Sequence, residues 1–345
     1  MERIIINTPG FISQILVGEK WEAVSGLLPE KNAVIITDNN VKRLYGKRFP
    51  ELPVFPLTPG EGSKNLKVIE NLAERLLEAG IDRSGFVLGI GGGVVCDVAG
   101  FLASIYMRGI SFGFISSTLL SQVDASTGGK NGVNLGGTKN MLGTFRQPEF
   151  VICDPAMLHT LPEQEYLSGL AEMIKTAVIG DKELFELIER SFDEIISRDN
   201  ELMTLLVSKC VRFKGNVVSK DEKESGLRRI LNFGHTYGHA IEMRKKINHG
   251  FAVASGMELA TEFSYERGYI NLEEKERINN LLMRFKLIGD IDLPDDQMEK
   301  LVEHDKKKTG TGIYFVFAQG IGQAKIENMP VGEVLEFYKR FRGYK

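Results

Sequence analysis

The sequence contains few cysteine, histidine and tryptophan residues. Among 345 residues there are three cysteines, five histidines and one tryptophan. The cysteines are odd in number, widely spaced and embedded in apolar runs, a pattern typical of buried thiols in a reducing compartment rather than of a disulfide framework. With so few histidines, any that share one short segment are candidates for a specific role.

A strong excess of charge and a long apolar run are also missing. The net charge is −3 and the sequence pI is about 6.1, which argues against a general attraction to nucleic acid or to an anionic membrane. The most apolar stretch, residues 101–123, is interrupted by Arg108, and the N-terminal apolar run is only three residues long. We therefore expect a cytoplasmic protein with no membrane and no nucleic-acid partner.

The length exceeds what one hydrophobic core usually supports, so two domains are expected, at residues 1–155 and 156–345. In the first, short β-branched runs alternate with helical periodicity, which predicts a parallel, Rossmann-like α/β sheet that binds a nucleotide. The second is predicted to be mostly α-helical, with a short hairpin near residues 312–318. The predicted strands of the first domain are 3–7, 33–37, 54–57, 85–90, 111–116 and 150–153, and the predicted helices that follow are 165–179, 181–190, 202–219, 230–246 and 253–267.

A glycine-rich turn follows one predicted strand, where residues 86–97 read F-V-L-G-I-G-G-G-V-V-C-D. Glycines between a strand and a helix let phosphates approach the backbone and the free N–H groups of the helix N-terminus. The spacing does not match G-x-G-x-x-G, because Val94 occupies the last position. An alternative is that the glycines only allow the helix to pack tightly on the sheet. Asp97, one turn into the helix, either caps it or reaches a ligand.

Two of the five histidines, His235 and His239, are four residues apart in L-N-F-G-H-T-Y-G-H-A-I-E. On a helix they share one face, which suggests a metal site, although two hydrogen-bonded core histidines would show the same spacing. His249 follows before the next helix, and Glu172 is an acid within an apolar stretch, where a partner is needed. Two imidazoles and a carboxylate with one open position are typical of a catalytic zinc site.

Several cations interrupt apolar or glycine-rich stretches. Each alone is expected to reach solvent, but together with two asparagines they predict a pocket for an anion that carries phosphate and carboxylate groups. These residues are Arg108, Lys130, Lys139, Lys175, Arg228, Asn140 and Asn232.

The motifs, in their order, closely resemble those of the 3-dehydroquinate synthase family over nearly the whole chain. The matching segments are G-G-G-V-V-C-D-V-A-G-F, Y-M-R-G, S-T-L-L-S-Q-V-D-A-S-T-G-G-K, K-N-M-L-G-T-F-x-Q-P, A-E-M-I-K-T, R-x-x-L-N-F-G-H-T-x-G-H-A-I-E, N-H-G-x-A-V-A-x-G-M and D-K-K. The resemblance implies NAD, Zn²⁺ or Co²⁺, a homodimer, and 3-deoxy-D-arabino-heptulosonate 7-phosphate as an anionic sugar-phosphate substrate. It also implies transient oxidation, phosphate elimination, re-reduction and aldol closure to 3-dehydroquinate.

The resemblance also assigns residues by motif position. Glu172, His235 and His249 match metal ligands, and His239 matches a histidine beside the substrate. We expect His239 to move the proton of the C5 hydroxyl of the substrate. Phe251 stands where the family usually has glutamate, and the segment between His239 and His249 is about two residues short. Lys130, Lys175, Arg228 and Asn232 match catalytic positions, Arg108, Asp124, Asn140, Lys214 and Lys306 match further substrate contacts, and Asp38, Glu61, Lys64, Gly92, Gly93, Asp97, Ser117, Thr118, Lys130, Lys139 and Thr160 match the NAD-binding segments.

Three other functions are compatible with parts of this pattern. A metal-dependent polyol dehydrogenase would also combine NAD with a metal but would release NADH and need fewer cations. A cyclase that makes another carbocycle, such as 2-deoxy-scyllo-inosose, would share the metal and NAD segments. A non-catalytic nucleotide-binding module is disfavoured because every matched ligand and cation is present.

Overall fold

The computed structural model describes residues 1–29, 32–289, 293–294, 297–299 and 312–344. The described chain forms two compact units. The first comprises Met1–Leu161 and Arg198–Lys223, and the second comprises Pro162–Ser197 and Glu224–Lys345. The single domain boundary after residue 155 stays a prediction. The two compact units do not follow a single boundary, because residues 198–223 belong to the first unit.

The first unit is built on a seven-stranded sheet. Its strand order is β1-β2-β9-β6-β5-β3-β4, and only β1 and β2 pair antiparallel. Helices of this unit cover the sheet, as expected for a parallel α/β fold. The strands are β1 (Glu2–Thr8), β2 (Phe11–Val17), β3 (Ala33–Asp38), β4 (Val54–Leu57), β5 (Phe86–Gly91), β6 (Ser111–Ser116) and β9 (Phe150–Cys153), and the helices of residues 1–161 are α1 (Asn39–Tyr45), α2 (Leu66–Glu78) and α3 (Gly93–Ile105).

The central strands are apolar on both faces because helices cover both faces. All six residues of β5 and all four of β9 are buried. β2 was missed from the sequence, although F-I-S-Q-I-L-V alternates as a strand with one buried face should. A second missed feature is the hairpin of β7 (Lys130–Leu135) and β8 (Thr138–Phe145). Its signal was the Gly136-Gly137 pair, which turns with φ of 58° and 80°.

A helix from the middle of the chain completes the first unit. This helix, α7 (Asn200–Lys220), was predicted at nearly the same bounds but in the other half of the protein. It packs on β1 so closely that a Cβ on Gly215 would be 3.1 Å from Ile6 Cγ1. Helix periodicity reveals an apolar face but not the partner of that face, which explains the misplacement.

The second unit is mostly helical, as predicted. An aromatic cluster forms part of its core, with the rings of Phe263 and Phe337 stacked at 4.2 Å and Tyr237 donating a hydrogen bond to the carbonyl of Val334 at 2.9 Å. The predicted helix 230–246 begins only at His235, because a 3₁₀ turn (Leu227–Asn232) and Gly234, at φ 77°, precede it. The elements are α4 (Glu163–Gly180), α5 (Lys182–Arg190), α6 (Phe192–Ile196), α8 (His235–Lys245), α9 (His249–Glu266), α10 (Leu272–Arg284), the hairpin β10 (Ile313–Ala318) and β11 (Ala324–Met329), and α11 (Val331–Tyr344).

Among the described residues, every helix is too short or too polar to span a lipid bilayer.

Candidate nucleotide-binding edge and metal centre

The first candidate site lies at the carboxyl edge of the parallel strands. From β3 the chain proceeds to β4 on one side, whereas from β5 it proceeds to β6 on the other. The chain direction therefore reverses between β3 and β5, and nucleotides bind in open α/β sheets at such a point. Asp38 ends β3, and Gly92 and Ser117 directly follow β5 and β6, so these three predicted residues lie along one edge.

The geometry of the glycine turn is compatible with both of the roles considered for it, tight helix packing and phosphate binding. A Cβ on Gly92 would lie 2.8 Å from Thr118 Cγ2, and one on Gly93 would lie 3.3 Å from Ala125 Cβ, so tight packing requires a small residue here. Gly92 is the N-cap of α3, and no side chain caps this helix. The N-terminal N–H groups of α3 therefore keep the geometry that binds phosphate oxygens.

A buried ion pair joins the start of α2 to α3. Lys64 is 5 % exposed, and its Nζ lies 2.5 Å from Asp97 Oδ2. Burial raises the pKa of Asp97, and the neighbouring Lys64 charge opposes the shift. Lys64 is also 4.0 Å from Glu61, whose carboxylate accepts a hydrogen bond from Asn134 at 2.8 Å. The structure thus brings together three of the predicted NAD-binding residues.

Two other predicted NAD-binding residues have local structural roles. The Asp38 carboxylate caps α1 by accepting hydrogen bonds from the backbone N–H groups of Asn40, at 2.8 Å, and Val41, at 3.0 Å. Thr160 Oγ1 lies 2.5 Å from the hydroxyl of Tyr45. These contacts hold both side chains in place.

The substrate residues predicted in the first unit fall into separate groups. Lys214, on α7, donates to the carbonyl of Asp124 at 2.6 Å and forms an ion pair with its carboxylate. Asn140 is exposed on β8, and its N–H donates to Asn134 Oδ1 at 2.9 Å. Arg108 follows the C-terminal end of α3, so within this unit it lies at the opposite edge of the sheet from the glycine turn. Lys130 and Lys139 are exposed on the β7–β8 hairpin.

The second candidate site is a Glu–His–His cluster in the helical unit. Glu172 on α4 is fully buried, and its Oε1 lies 3.2 Å from His249 Nε2 and 3.7 Å from His235 Nε2. One ligand atom from each of the three residues lies within 4.8 Å of the others. Three helices, α4, α8 and α9, therefore contribute one candidate ligand each, as the resemblance implied.

Glycines allow these helices to approach closely. A Cβ on Gly250 would lie 2.1 Å from the carbonyl oxygen of Ser168 on α4, and one on Gly256 would lie 2.0 Å from that of Gly234. A Cβ on Gly238 would lie 3.0 Å from the carbonyl of Ala252. No larger residue fits at the first two positions unless the backbones separate. The glycines of the motif thus place α4, α8 and α9 at the spacing that the cluster needs.

The donor set fits a zinc ion. The buried Glu172 carboxylate makes no hydrogen bond and is balanced by Lys175 and His249 within ion-pair distance, so its oxygens remain available to a metal ion. Both imidazoles are held through Nδ1. His235 Nδ1 lies 3.1 Å from the carbonyl oxygen of Phe233, and His249 Nδ1 lies 3.0 Å from Glu242 Oε2. Nε2 of each ring is thereby directed at Glu172, an arrangement typical of zinc-binding histidines.

Burial and neighbouring charges shift the pKa values of Glu172 and His235 in the direction that a metal ligand needs, whereas the pKa of His249 is raised. Burial raises the pKa of Glu172, but the Lys175 charge and the two histidines outweigh burial and hold the pKa well below its usual value. Burial and the Lys175 charge lower the pKa of His235. Burial also lowers the pKa of His249, but the close carboxylates of Glu172 and Glu242 raise it to about 9.

The remaining predicted residues of this unit differ in their burial. Arg228 is 2 % exposed in the 3₁₀ turn before α8, and Asn232 donates to Glu224 Oε1 at 2.6 Å. His239 is exposed, with its ring centroid 5.0 Å from that of His235. His235 and His239 share one helix face as predicted, but the second imidazole of the Glu–His–His cluster comes from His249. Lys306 lies outside the described residues.

Glu242 was missed at the level of sequence. Its signal was an acid seven residues after His235, hence on the same helical face, in the otherwise apolar segment H-A-I-E. Spacing alone does not show which acid will contact the Nδ1 atom of a histidine.

A parallel α/β unit with a glycine turn at the strand reversal, together with a helical unit carrying two histidines and a glutamate, defines the dehydroquinate synthase-like class of folds. Over 98% of its length the chain superposes on 2-epi-5-epi-valiolone synthase from Streptomyces hygroscopicus subsp. jinggangensis, a structure with NAD⁺ and Zn²⁺ bound, at 25% identity and a TM-score of 0.88, covering 99% of that chain. A butanol dehydrogenase from Thermotoga maritima, at 14% identity and a TM-score of 0.66 over 98% of both chains, shares the fold alone.

Family comparisons are more specific. Residues 54–168 match the 3-dehydroquinate synthase N-terminal model, and residues 169–308 match the C-terminal model. The chain is 41% identical over 330 residues to 3-dehydroquinate synthase of Thermoanaerobacter pseudethanolicus, covering 92% of this chain and 93% of the relative. It is 40% identical over 347 residues to that of Alkaliphilus metalliredigens, covering 94% and 95%. The chain therefore belongs to the 3-dehydroquinate synthase family.

Proposed function

We propose that the protein converts 3-deoxy-D-arabino-heptulosonate 7-phosphate into 3-dehydroquinate and phosphate, as a cyclising lyase of aromatic amino acid biosynthesis. The main support is the 41% identity to a 3-dehydroquinate synthase over 92% of the chain, with all three candidate metal ligands present and clustered. The 2-epi-5-epi-valiolone synthase has lower identity, 25%, so the same fold with a different carbocycle is the less favoured assignment.

Glu172, His235 and His249 would hold the divalent metal, zinc or cobalt. The edge formed by the glycine turn, Asp97 and Lys64 would hold NAD⁺ by its phosphates and ribose. When bound, the metal supplies Lewis-acid polarisation of substrate oxygens, and NAD⁺ supplies a reversible hydride acceptor. The clustered ligand atoms of Glu172, His235 and His249 and the uncapped N-terminus of α3 support these two assignments.

Fixed cations of the protein would bind the anionic groups of the substrate. Arg228 is buried, so its charge is weakly screened and its guanidinium can hold a phosphate in a fixed orientation. Lys175 is 2 % exposed and lies beside Glu172, where it would contact a substrate oxygen while keeping the Glu172 carboxylate charged. Further proposed contacts to substrate are Lys130, Asn232, Arg108, Asp124, Asn140, Lys214 and Lys306.

His239 is the proposed proton carrier. It lies one helical turn from the metal ligand His235, and its ring is exposed, so it can exchange protons with solvent. An imidazole is suited to take a proton from the substrate's C5 hydroxyl near neutral pH. His239→Ala should therefore lose turnover while binding zinc normally; full turnover would rule out this role.

The deciding experiment is incubation of the zinc-loaded protein with the heptulosonate phosphate and a catalytic amount of NAD⁺. Stoichiometric phosphate release with no net increase in nicotinamide absorbance supports the synthase. Accumulating NADH would instead support a polyol dehydrogenase. This is the relevant alternative because the chain shares its fold with a butanol dehydrogenase. Absence of both products from zinc-loaded, NAD-bound protein would refute either activity.

We also propose that the protein acts as a cytoplasmic homodimer with an NAD-binding domain over residues 1–155 and a metal- and substrate-binding domain over 156–345. Light scattering on the purified protein tests the dimer. Limited proteolysis followed by mass spectrometry of the fragments tests the domain boundary.

A further inference from the structure

Glu242 is a nearly buried carboxylate beside the metal cluster. Its side chain is 10 % exposed, in the last turn of α8, and its Oε2 lies 3.0 Å from His249 Nδ1. A buried acid needs a partner, and a carboxylate at this distance accepts the Nδ1 hydrogen. The contact joins the last turn of α8 to the first residue of α9, two helices that are separated by three residues.

The two candidate histidine ligands are held by different means. His235 is held by a backbone carbonyl, that of Phe233, which no side-chain substitution removes. His249 is held by a side chain, and its ring is the more exposed of the two, 30 % against 12 %. The ring of His249 therefore depends more on its side-chain partner for its orientation.

We propose that Glu242 is a positioning residue that fixes the tautomer and ring orientation of His249, so that Nε2 presents its lone pair to the metal. When Nδ1 keeps its hydrogen and donates it to Glu242, the neutral ring has its lone pair on Nε2, the atom 3.2 Å from Glu172 Oε1. This inference rests on the proposed function only for the identity of the metal centre.

The test measures zinc affinity of the full-length protein by competition with a chelator, with no substrate present. Glu242→Ala removes the acceptor and should weaken zinc binding by about 10- to 100-fold, the usual cost of losing such a partner. Glu242→Gln keeps an acceptor oxygen in nearly the same place and should lose less. With Co²⁺ in place of zinc, the visible absorption band should shift in Glu242→Ala and remain close to that of the unaltered protein in Glu242→Gln.

A matched control is available on α9, the helix that begins with His249. Glu262 is a part-buried acid that binds Lys275 at 3.3 Å and Asn279 at 3.2 Å, and it lies outside the metal cluster. Glu262→Gln should leave zinc affinity unchanged. An equal loss in this variant would assign the effect to general loosening of α9 and overturn the proposal.

Two further outcomes would also overturn it. Unchanged zinc affinity in Glu242→Ala would show that His249 needs no orienting partner. If Glu242→Ala does not fold, Glu242→Asp replaces it, because the shorter aspartate side chain cannot reach Nδ1 as well. Unchanged zinc affinity in Glu242→Asp would then overturn the proposal. Because His239, Glu242 and His249 also offer ligand atoms within 4.8 Å of one another, binding of two zinc ions per chain, with one lost in Glu242→Ala, would make Glu242 a ligand. Tight zinc binding without phosphate release by the unaltered protein would refute the proposed function alone.

Discussion

The close contact between α9 and α4 at Gly250 leads to a strong prediction about the metal centre. In Gly250→Ala, the new Cβ would lie 2.1 Å from the carbonyl oxygen and 2.5 Å from the Cα of Ser168, both backbone atoms that cannot rotate away. Real Cβ contacts are essentially never shorter than 3.0 Å, so the two helices must separate by at least about 0.9 Å, the difference between 3.0 and 2.1.

That separation acts directly on the metal ligands. Gly250 follows His249 in the chain, and Ser168 is one helical turn before Glu172. A displacement of about 0.9 Å is several times the ~0.2 Å within which metal–ligand distances normally stay. We expect zinc affinity to fall at least about tenfold, and overpacking to lower the free energy of unfolding by about 1–3 kcal/mol.

The assay is chelator competition for zinc, combined with urea unfolding of the zinc-bound and zinc-free forms. Gly332→Ala is the control, because this glycine is the second residue of α11 in the same unit and an added Cβ meets no atom within 4 Å. The control should be unchanged or slightly more stable, since alanine reduces the entropy of the unfolded chain. Normal zinc affinity and stability in Gly250→Ala would refute the argument that glycine spacing sets the geometry of the cluster.

Three further predictions concern other parts of the protein. Burial raises the pKa of the Cys153 thiol to about 12, and all three cysteines are buried, so a thiol reagent at pH 8 should label none of them until urea unfolds the chain. Asp97→Asn removes the carboxylate from buried Lys64, so the free energy of unfolding should fall by about 1–3 kcal/mol in urea titration, and NAD⁺ should bind more weakly by fluorescence titration. Hydrogen bonds from Lys325 and Tyr269 lower the pKa of Glu327, so its carboxylate stabilises the fold above its unfolded pKa and loses this effect as pH falls through the folded pKa. As the pH falls below about 4.5, the free energy of unfolding of Glu327→Gln should therefore decrease less than that of the unaltered protein, by up to about 1 kcal/mol. The same pH dependence in both proteins would rule out this contribution.

Local patterns in the sequence determined much of the architecture. Strands β4, β6 and β9 were predicted at their observed bounds, because short β-branched runs between turn residues have few alternatives. The glycine turn and the family motifs also pointed to the nucleotide edge and to Glu172, His235 and His249. These are properties of backbone preference, hydrophobic period and motif order, all of which can be read along the chain.

Only the tertiary structure decided which faces and side chains meet. It placed α7 in the first unit, where Lys214 pairs with Asp124, ninety positions earlier in the chain. It also showed that His249 Nδ1 contacts Glu242, a residue to which no motif had assigned a role. Periodicity shows that a helix has an apolar face and spacing shows which residues share it, but neither encodes the distance to another helix. That distance depends on how closely two backbones can approach, which at α4 and α9 is determined by the missing side chain of Gly250.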